Sequence, residues 1–103
     1  MSFKKTFLKS KPVCKVAFRL SKSEVESASD VKILGSFNNW DKGAEPMKQL
    51  KNGDFTATVE LPVDQEIEFR YLVNNSSWIN DSEAEGFISN AFGDTNSLIS
   101  TRA

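Results

Sequence analysis

Two tryptophans have the residue type and the surroundings that best fit ligand recognition in this sequence. Trp40 ends the segment GSFNNW (35–40), and Trp78 follows the polar loop NNSS (74–77). The flat face of an indole ring packs well against the apolar C–H face of a sugar ring, while nearby amides and charges bond the hydroxyl groups. The alternative interpretation is that each tryptophan caps one end of a hydrophobic core.

One arginine and one asparagine could supply the polar contacts. Arg70 alternates with Tyr71 in the segment EIEFRYLVN (66–74), so we expect it on the face opposite the core. Its five N–H donors suit hydroxyl groups or a carboxylate, and its alternative role is a cross-strand salt bridge. Asn96, in the segment GDTNSL (93–98), is expected to form a turn or to expose its amide near the last strand.

Composition excludes several kinds of catalytic and metal site. The chain has no histidine, which rules out a Ser-His-Asp triad, a Cys-His pair and a His-ligated zinc ion. The one cysteine, Cys14, can form neither an intrachain disulfide nor a cysteine-rich metal site, and its alternating segment predicts a buried, apolar role. We therefore expect a protein that is not an enzyme and holds no cofactor.

Four acidic residues, Asp81, Glu83, Glu85 and Asp94, raise the question of carboxylate chemistry. Paired carboxylates hydrolyse glycosides when they are held about 5–9.5 Å apart, but a chain of 103 residues is too small to enclose a sugar in a deep cleft. Oxygen ligands could bind calcium, yet the spacing matches no EF-hand loop. We expect a solvated acidic loop.

Basic and acidic residues are nearly balanced, 13 against 14, but four lysines fall within residues 1–12. The rest of the chain has nine basic and fourteen acidic residues, which argues against a nucleic-acid groove. No run approaches the ~20 apolar residues of a membrane span, and no apolar stretch follows the lysines as in a secretory signal. With a single unpaired cysteine, these features predict a cytoplasmic protein without a nucleic-acid or membrane partner.

A periodicity of two predicts β-strands rather than helices. The alternating segments are 13–20, 31–37, 54–61, 66–74 and 97–100. Asn52-Gly53 predicts a hairpin, and the polar segment 21–30 fits either one helical turn or a surface loop. The pattern predicts an all-β domain over 13–103, an antiparallel β-sandwich of the immunoglobulin type, after a flexible lysine-rich leader at 1–12.

One face of each predicted strand forms the expected core. The inward positions are Cys14, Val16, Phe18, Leu20, Val31, Ile33, Phe37, Phe55, Ala57, Val59, Leu61, Ile67, Phe69, Tyr71 and Val73. Leu72 falls on the outward face with Arg70. Gly35 predicts a β-bulge or a close approach of two backbones.

Three motifs, taken together, resemble a known family. They are GSFNNW (35–40), FRYLV (69–73) leading to Trp78, and FGDTNS (92–97), and their order and spacing are similar to those of the family 48 carbohydrate-binding modules. That family includes the glycogen-binding domain of the AMP-activated kinase beta subunit and the N-terminal domains of isoamylases and branching enzymes. The resemblance extends over residues 13–101 and implies an early-set immunoglobulin-like β-sandwich.

The resemblance also implies a ligand and its contacts. Family members bind α-1,4-linked glucans on an open surface, where two tryptophans stack on successive glucose rings. By position, these correspond to Trp40 and Trp78. The hydroxyl-bonding basic residue and asparagine correspond to Arg70 and Asn96, and Phe92 to a large apolar residue that contacts the sugar chain.

Three positions depart from the family pattern. Arg70 stands where the kinase subunit has lysine, which keeps the charge and changes the geometry of the donors. The loop 74–77 is longer than in the kinase subunit, and Ala91 stands where related bacterial sequences often have proline. We expect the longer loop to change the presentation of Trp78, and Ala91 to change that of Phe92 and Asn96.

The resemblance predicts a non-catalytic module that recognises glycogen, starch or maltooligosaccharides. The alternative is a protein-interaction or regulatory module on the same scaffold, with lost or weakened glucan binding. It would dock a glycogen-metabolising enzyme or a kinase-like complex through a sheet edge or the leader. In many family members the domain is attached to a larger catalytic barrel, whereas Met1 and the lysine-rich leader favour a free-standing module here.

Overall fold

The computed structural model describes residues 3–25, 29–81, 83–90 and 93–102. These residues contain nine β-strands and one 3₁₀ helix. In chain order the strands are β1 (Phe3–Phe7), β2 (Val13–Leu20), β3 (Val31–Gly35), β4 (Lys48–Gln49), β5 (Phe55–Pro62), β6 (Glu66–Val73), β7 (Ser77–Ile79), β8 (Gly86–Ser89) and β9 (Thr95–Ser100). The helix, Lys22–Glu24, is a single turn. It lies in the polar segment 21–30, for which the sequence is consistent with either a helical turn or a surface loop. Within the described ranges, no helix has the length and apolar character that crossing a membrane requires.

The strands form two antiparallel sheets. The first has the strand order β1-β2-β5-β4, and the second has the order β3-β6-β9-β8, with β7 paired to the last residues of β6. The hairpin predicted at Asn52-Gly53 connects β4 to β5, and Gly53 has the positive φ of 94° that such a turn requires. The two sheets pack face to face, which confirms the predicted all-β sandwich.

The core lies between the sheets, on the faces that the alternation of apolar residues predicts. Along β2, the side chains of Cys14, Val16, Phe18 and Leu20 are almost completely buried. Aromatic rings join the two sheets, since the ring centroids of Phe18 and Phe69 lie 5.1 Å apart. Burial of each large apolar side chain contributes about 1.5–3 kcal/mol, so this layer is the main source of stability.

The amino-terminal segment differs from the prediction. Residues 3–7, which we expected in a flexible leader, form β1 and pair with β2, so the prediction is wrong for this segment. The Phe3 ring lies 6.4 Å from that of Phe18 at the core, and the Lys5 ammonium lies 2.7 Å from a carboxylate oxygen of Glu85, just before β8. These long-range contacts offset the entropy of ordering a segment whose own pattern is too short to predict a strand.

The acidic segment before β8 departs from the expected solvated loop at Asp81, whereas Glu83 and Glu85 are exposed as expected. Asp81 is 1% exposed, and its carboxylate accepts hydrogen bonds from the Tyr71 hydroxyl at 2.8 Å and from the Glu83 amide at 2.9 Å. Burial, reinforced by the Asp81 charge, raises the pKa of Tyr71. Asp81 can be buried because the hydroxyl of Tyr71, in β6, donates to its carboxylate. The composition of the acidic segment does not reveal this partner. Within the described residues, no three potential ligands gather to hold a metal ion.

Candidate functional site

The outer face of the five-stranded sheet is the surface on which the predicted site residues meet. The strand register places Lys32, Leu72 and Trp78 in one row across β3, β6 and β7. Leu34 and Arg70 form the next row. Leu34 and Leu72 are 0% and 1% exposed although they face away from the core. The side chains and loops beside them therefore cover this part of the sheet.

The loop that carries Trp40 is folded back onto β3. The Trp40 amide donates a hydrogen bond to the Gly35 carbonyl at 3.0 Å. The Asn38 side chain fastens the loop at two more points, because it accepts from the Gly35 amide at 2.9 Å and donates to the Ile33 carbonyl at 3.2 Å. Asn39 and Trp40 both have a φ of 57°, in the left-handed region that large side chains avoid.

Gly35 allows the close approach of backbones that the sequence predicts. A Cβ atom at this position would overlap the backbone carbonyl oxygen of Glu68, in β6. The Ser36 amide donates to the same oxygen at 3.0 Å. Because only glycine fits here, the start of the Trp40 loop is held directly against β6.

Trp78 lies in β7, directly after a hairpin turn. Asn74 and Asn75 have φ values of 52° and 57°, a pair of left-handed residues typical of tight hairpin turns. The Asn74 side chain accepts hydrogen bonds from the amides of Ser29 and Asp30 at 2.9 and 3.0 Å. These bonds tie the hairpin to the segment before β3 and thereby set the position of Trp78.

The two tryptophans meet over the covered face. Their ring centroids lie 6.2 Å apart, and their planes are inclined by 64°. Both rings line a cavity of about 370 Å³, whose lining residues are Trp40, Lys42, Arg70, Trp78, Asn90 and Asn96. The structure thus brings together four of the five residues that the sequence predicts for one site. The fifth, Phe92, lies outside the described residues, as does Ala91.

Arg70 contacts Trp78 as well as lining the cavity. Its guanidinium carbon Cζ lies 4.8 Å from the centroid of the Trp78 ring, a cation–π contact. Nη1 donates to the Asp94 carboxylate at 3.2 Å, so a salt bridge, the alternative role for this residue, is also present. The side chain is 12% exposed, and Nε is buried without a hydrogen-bond partner in the described part of the chain. The guanidinium is therefore fixed beside the ring.

Asn96 is placed differently from the expectation. It lies in β9 and is 5% exposed, so it is neither a turn residue nor an exposed amide. Nδ2 donates to a carboxylate oxygen of Glu68 at 2.9 Å, and Oδ1 accepts from the Asn90 side chain at 3.1 Å. The register of β6 and β9 explains the burial, because Ser97 pairs with the core residue Phe69 and Asn96 therefore lies on the opposite, covered face.

Two of the described residues that line the cavity were not predicted from the sequence. Lys42 belongs to the turn after Trp40, and its Nζ lies 5.9 Å from the centroid of the Trp78 ring. Its position two residues after Trp40 is the feature of the sequence that could have indicated a role at the site. Asn90 follows β8, and its role depends on the pairing of β8 with β9, for which the local pattern has no signal.

The fold and this surface define a class of protein, a small β-sandwich with an aromatic and polar cavity on the outer face of one sheet. The chain belongs to the family described as the glycogen recognition site of AMP-activated protein kinase, whose family model matches residues 23–103. This is a family of non-catalytic carbohydrate-binding modules, and the match confirms the resemblance of the three motifs. The match begins after β2. No curated protein matches the chain.

Proposed function

We propose that the protein binds α-1,4-linked glucans, such as glycogen, starch and maltooligosaccharides, without catalysing their conversion. The observation that carries the proposal is the presence of two tryptophans in one cavity, with centroids 6.2 Å apart and planes inclined by 64°. Each indole offers a flat apolar face to one side of a glucose ring. The polar side chains around the indoles supply partners for the hydroxyl groups.

The inclination of the two rings suits a curved sugar chain. An α-1,4-linked glucan coils, so successive glucose rings are turned relative to one another, whereas a β-1,4-linked chain is a flat ribbon. Two aromatic surfaces inclined by 64° favour the coiled chain over the ribbon. The proposed specificity therefore depends on the linkage between the sugars.

The backbone at Trp40 supports a functional role for its ring. A left-handed conformation at a non-glycine residue costs roughly 1–3 kcal/mol, and such strain concentrates at functional sites. Trp40 is only partly buried, so packing of a core does not account for the conformation. The strain is explained if the loop holds the indole ready for a ligand.

We assign the hydrogen bonds with sugar hydroxyls to the polar residues of the cavity. Lys42 is exposed and presents its ammonium beside Trp78. Arg70 contributes the N–H donors that Asp94 does not engage, and it orients the indole by its cation–π contact. The amide Nδ2 of Asn96 carries a second hydrogen for a hydroxyl group. Phe92 remains a proposed apolar contact on the basis of the resemblance alone.

The test is a titration of the intrinsic tryptophan fluorescence with maltoheptaose, with a cello-oligosaccharide as control. The chain has two tryptophans and both line the cavity, so a bound sugar changes the signal directly. Two stacked rings and a few hydrogen bonds at a shallow site predict a Kd of roughly 10 µM to 1 mM. We expect a saturable shift with maltoheptaose alone. No shift with it, or equal shifts with both sugars, would contradict the proposal.

Docking of a protein partner is the second candidate function, and exposed apolar side chains away from the cavity favour it. Phe7 is 38% exposed on β1 and Phe87 is 53% exposed on β8, and each strand lies at the end of its sheet's strand order. An exposed strand edge with apolar side chains can pair with a segment of another protein. The resemblance suggests a glycogen-metabolising enzyme or a kinase-like complex. We place the encounter in the cytoplasm, where a reducing environment suits the free thiol of Cys14.

A Phe87→Asp variant tests docking at this edge. A stoichiometric partner that accompanies the wild-type protein should be lost with the variant, because a charge would replace the apolar contact. Binding of maltoheptaose should be unchanged, since Phe87 does not line the cavity. A partner that the variant retains would contradict docking through β8.

A further inference from the structure

Lys32 connects the two segments that carry the tryptophans, although it does not line the cavity. Its Nζ donates to the backbone carbonyl of Lys42 at 2.6 Å, in the turn that follows Trp40. The same ammonium donates to Oδ1 of Asn75 at 3.2 Å, in the hairpin turn that precedes Trp78. One side chain of β3 is therefore bonded to both loops.

The place of Lys32 in the sheet makes it a fixed reference for the two loops. The register sets Lys32 opposite Leu72, and Leu72 opposite Trp78, so the three side chains form one row on the covered face. The backbone of β3 is held by its ladder with β6, whereas both loops depend on left-handed turns. A site is more precisely arranged when its loops are bonded to a side chain on a rigid strand.

We propose that Lys32 is a positioning residue that sets the separation and inclination of the Trp40 and Trp78 rings, and through them the affinity for glucan. Its effect on affinity rests on the proposed function, whereas its effect on the rings does not. Hydrogen bonds from an ammonium group are roughly twice as strong as those between neutral groups. Without them, the two rings adopt a range of separations, and a ligand that needs both rings must restore the bound arrangement.

The first variant is Lys32→Met. Methionine keeps much of the length and the apolar stem of lysine, but it has no N–H donor. Lys15→Met is the matched control, because Lys15 also lies within a strand, is exposed, and faces outward from the other sheet. Thermal unfolding of both variants verifies that each is folded.

Exciton-coupled circular dichroism of the indole pair is a readout that a general loss of stability does not change. The chain has two tryptophans, and at 6.2 Å their transitions couple in a way that depends on separation and inclination. We expect the couplet to collapse in Lys32→Met and to persist in Lys15→Met. The affinity for maltoheptaose should fall about five- to tenfold in Lys32→Met alone. An unchanged couplet, or a lost couplet with unchanged affinity, would overturn the proposal.

A double-mutant cycle with Asn75→Gly isolates the connection itself. Glycine adopts the left-handed conformation of residue 75 without strain and removes the acceptor atom. Asn75→Gly should weaken the couplet by itself and add nothing to Lys32→Met, whereas additive effects would contradict a role through this bond. If the wild type does not bind maltoheptaose, the proposed function is wrong, and the circular dichroism still decides whether Lys32 positions the rings.

Discussion

The outer faces of the two sheets share one alternating backbone pattern and differ in character. On the four-stranded sheet, the outward residues Lys15, Thr58 and Glu60 are exposed. On the five-stranded sheet, Leu34 and Leu72 occupy outward positions and are almost completely buried. The outer face that carries the candidate site is thus the one with outward apolar residues and with loops that fold back over them.

The ion pairs of the two faces differ in the same way. Arg19 donates to Asp54 with its side chain 51% exposed, whereas Arg70 donates to Asp94 with its side chain 12% exposed. The second guanidinium also lies 4.8 Å from the centroid of an indole ring. The covered face therefore differs from the solvated face in having an arginine that is buried against an aromatic ring.

The largest expected effect is on stability, and it comes from a substitution on the covered face. Leu72→Ala removes a buried side chain that pairs with Trp78 across the strands, and it should lower the free energy of unfolding by about 2–5 kcal/mol. Thr58→Ala, on the solvated face, should change it by about 0.5 kcal/mol or less. Urea denaturation measures both values. Equally small effects at the two positions would remove the distinction between the faces.

The next effect in size concerns binding, in Trp40→Ala. Because the indole is proposed to stack on a glucose ring, we expect the affinity for maltoheptaose to fall about 10- to 100-fold while the fold is retained. Phe87→Ala removes an exposed aromatic ring outside the cavity and should bind as the wild type does. Titration calorimetry measures both affinities. Normal binding by a folded Trp40→Ala protein would place the site elsewhere.

Release of Arg70 from its carboxylate should have a smaller effect. Asp94→Asn removes the charge that holds Nη1, so more donors face the ligand, and the affinity for maltoheptaose should rise about two- to threefold. Asp54→Asn removes the corresponding carboxylate on the solvated face and should leave the affinity unchanged. The same calorimetric titration checks both variants. Weaker binding by Asp94→Asn would instead show that the ion pair holds the site together.

The smallest expected effect concerns the ion pair of Lys5 and Glu85, which lies away from both outer faces and connects the two sheets. Burial opposes ionisation of Glu85, but hydrogen bonds from Lys5 and from the Ser100 amide outweigh it, so the pKa of Glu85 is lowered. Stability from such a group is present above its unfolded pKa and is lost as the pH falls through the folded pKa. Because Glu85 is 41% exposed, Lys5→Met should lower stability at neutral pH by only about 0.5 kcal/mol or less. Unfolding measured across pH checks this, and a difference that persists in acid would contradict it.

Much of the fold could be predicted from the sequence, because alternation reports directly which face of a strand is buried. β2, β5 and β6 coincide closely with alternating segments, and β3 and β9 overlap them. The strands that escaped prediction, β1, β4, β7 and β8, have two to five residues each. Segments this short are strands because a neighbour pairs with them, and a pairing partner is not visible in their own composition.

Residue chemistry and local pattern identified Trp40, Trp78 and Arg70 as candidates, and the resemblance of the three motifs assigned them to one predicted site. An aromatic side chain among turn-forming residues is a local feature, and so is an arginine that alternates with core positions. At Gly35 the local pattern predicted either a β-bulge or a close approach of two backbones, and the structure shows the close approach to β6.

The tertiary structure was needed for every feature that depends on strand register or on the return of a loop. It buries Asn96, brings Lys42 and Asn90 to the cavity, and makes Leu72 part of a covered face. Lys32 bonds to residues 10 and 43 positions further along the chain. The physical reason is that alternation and turn preference are properties of neighbours in sequence, whereas burial and hydrogen bonding across a sheet arise from segments that meet only after folding.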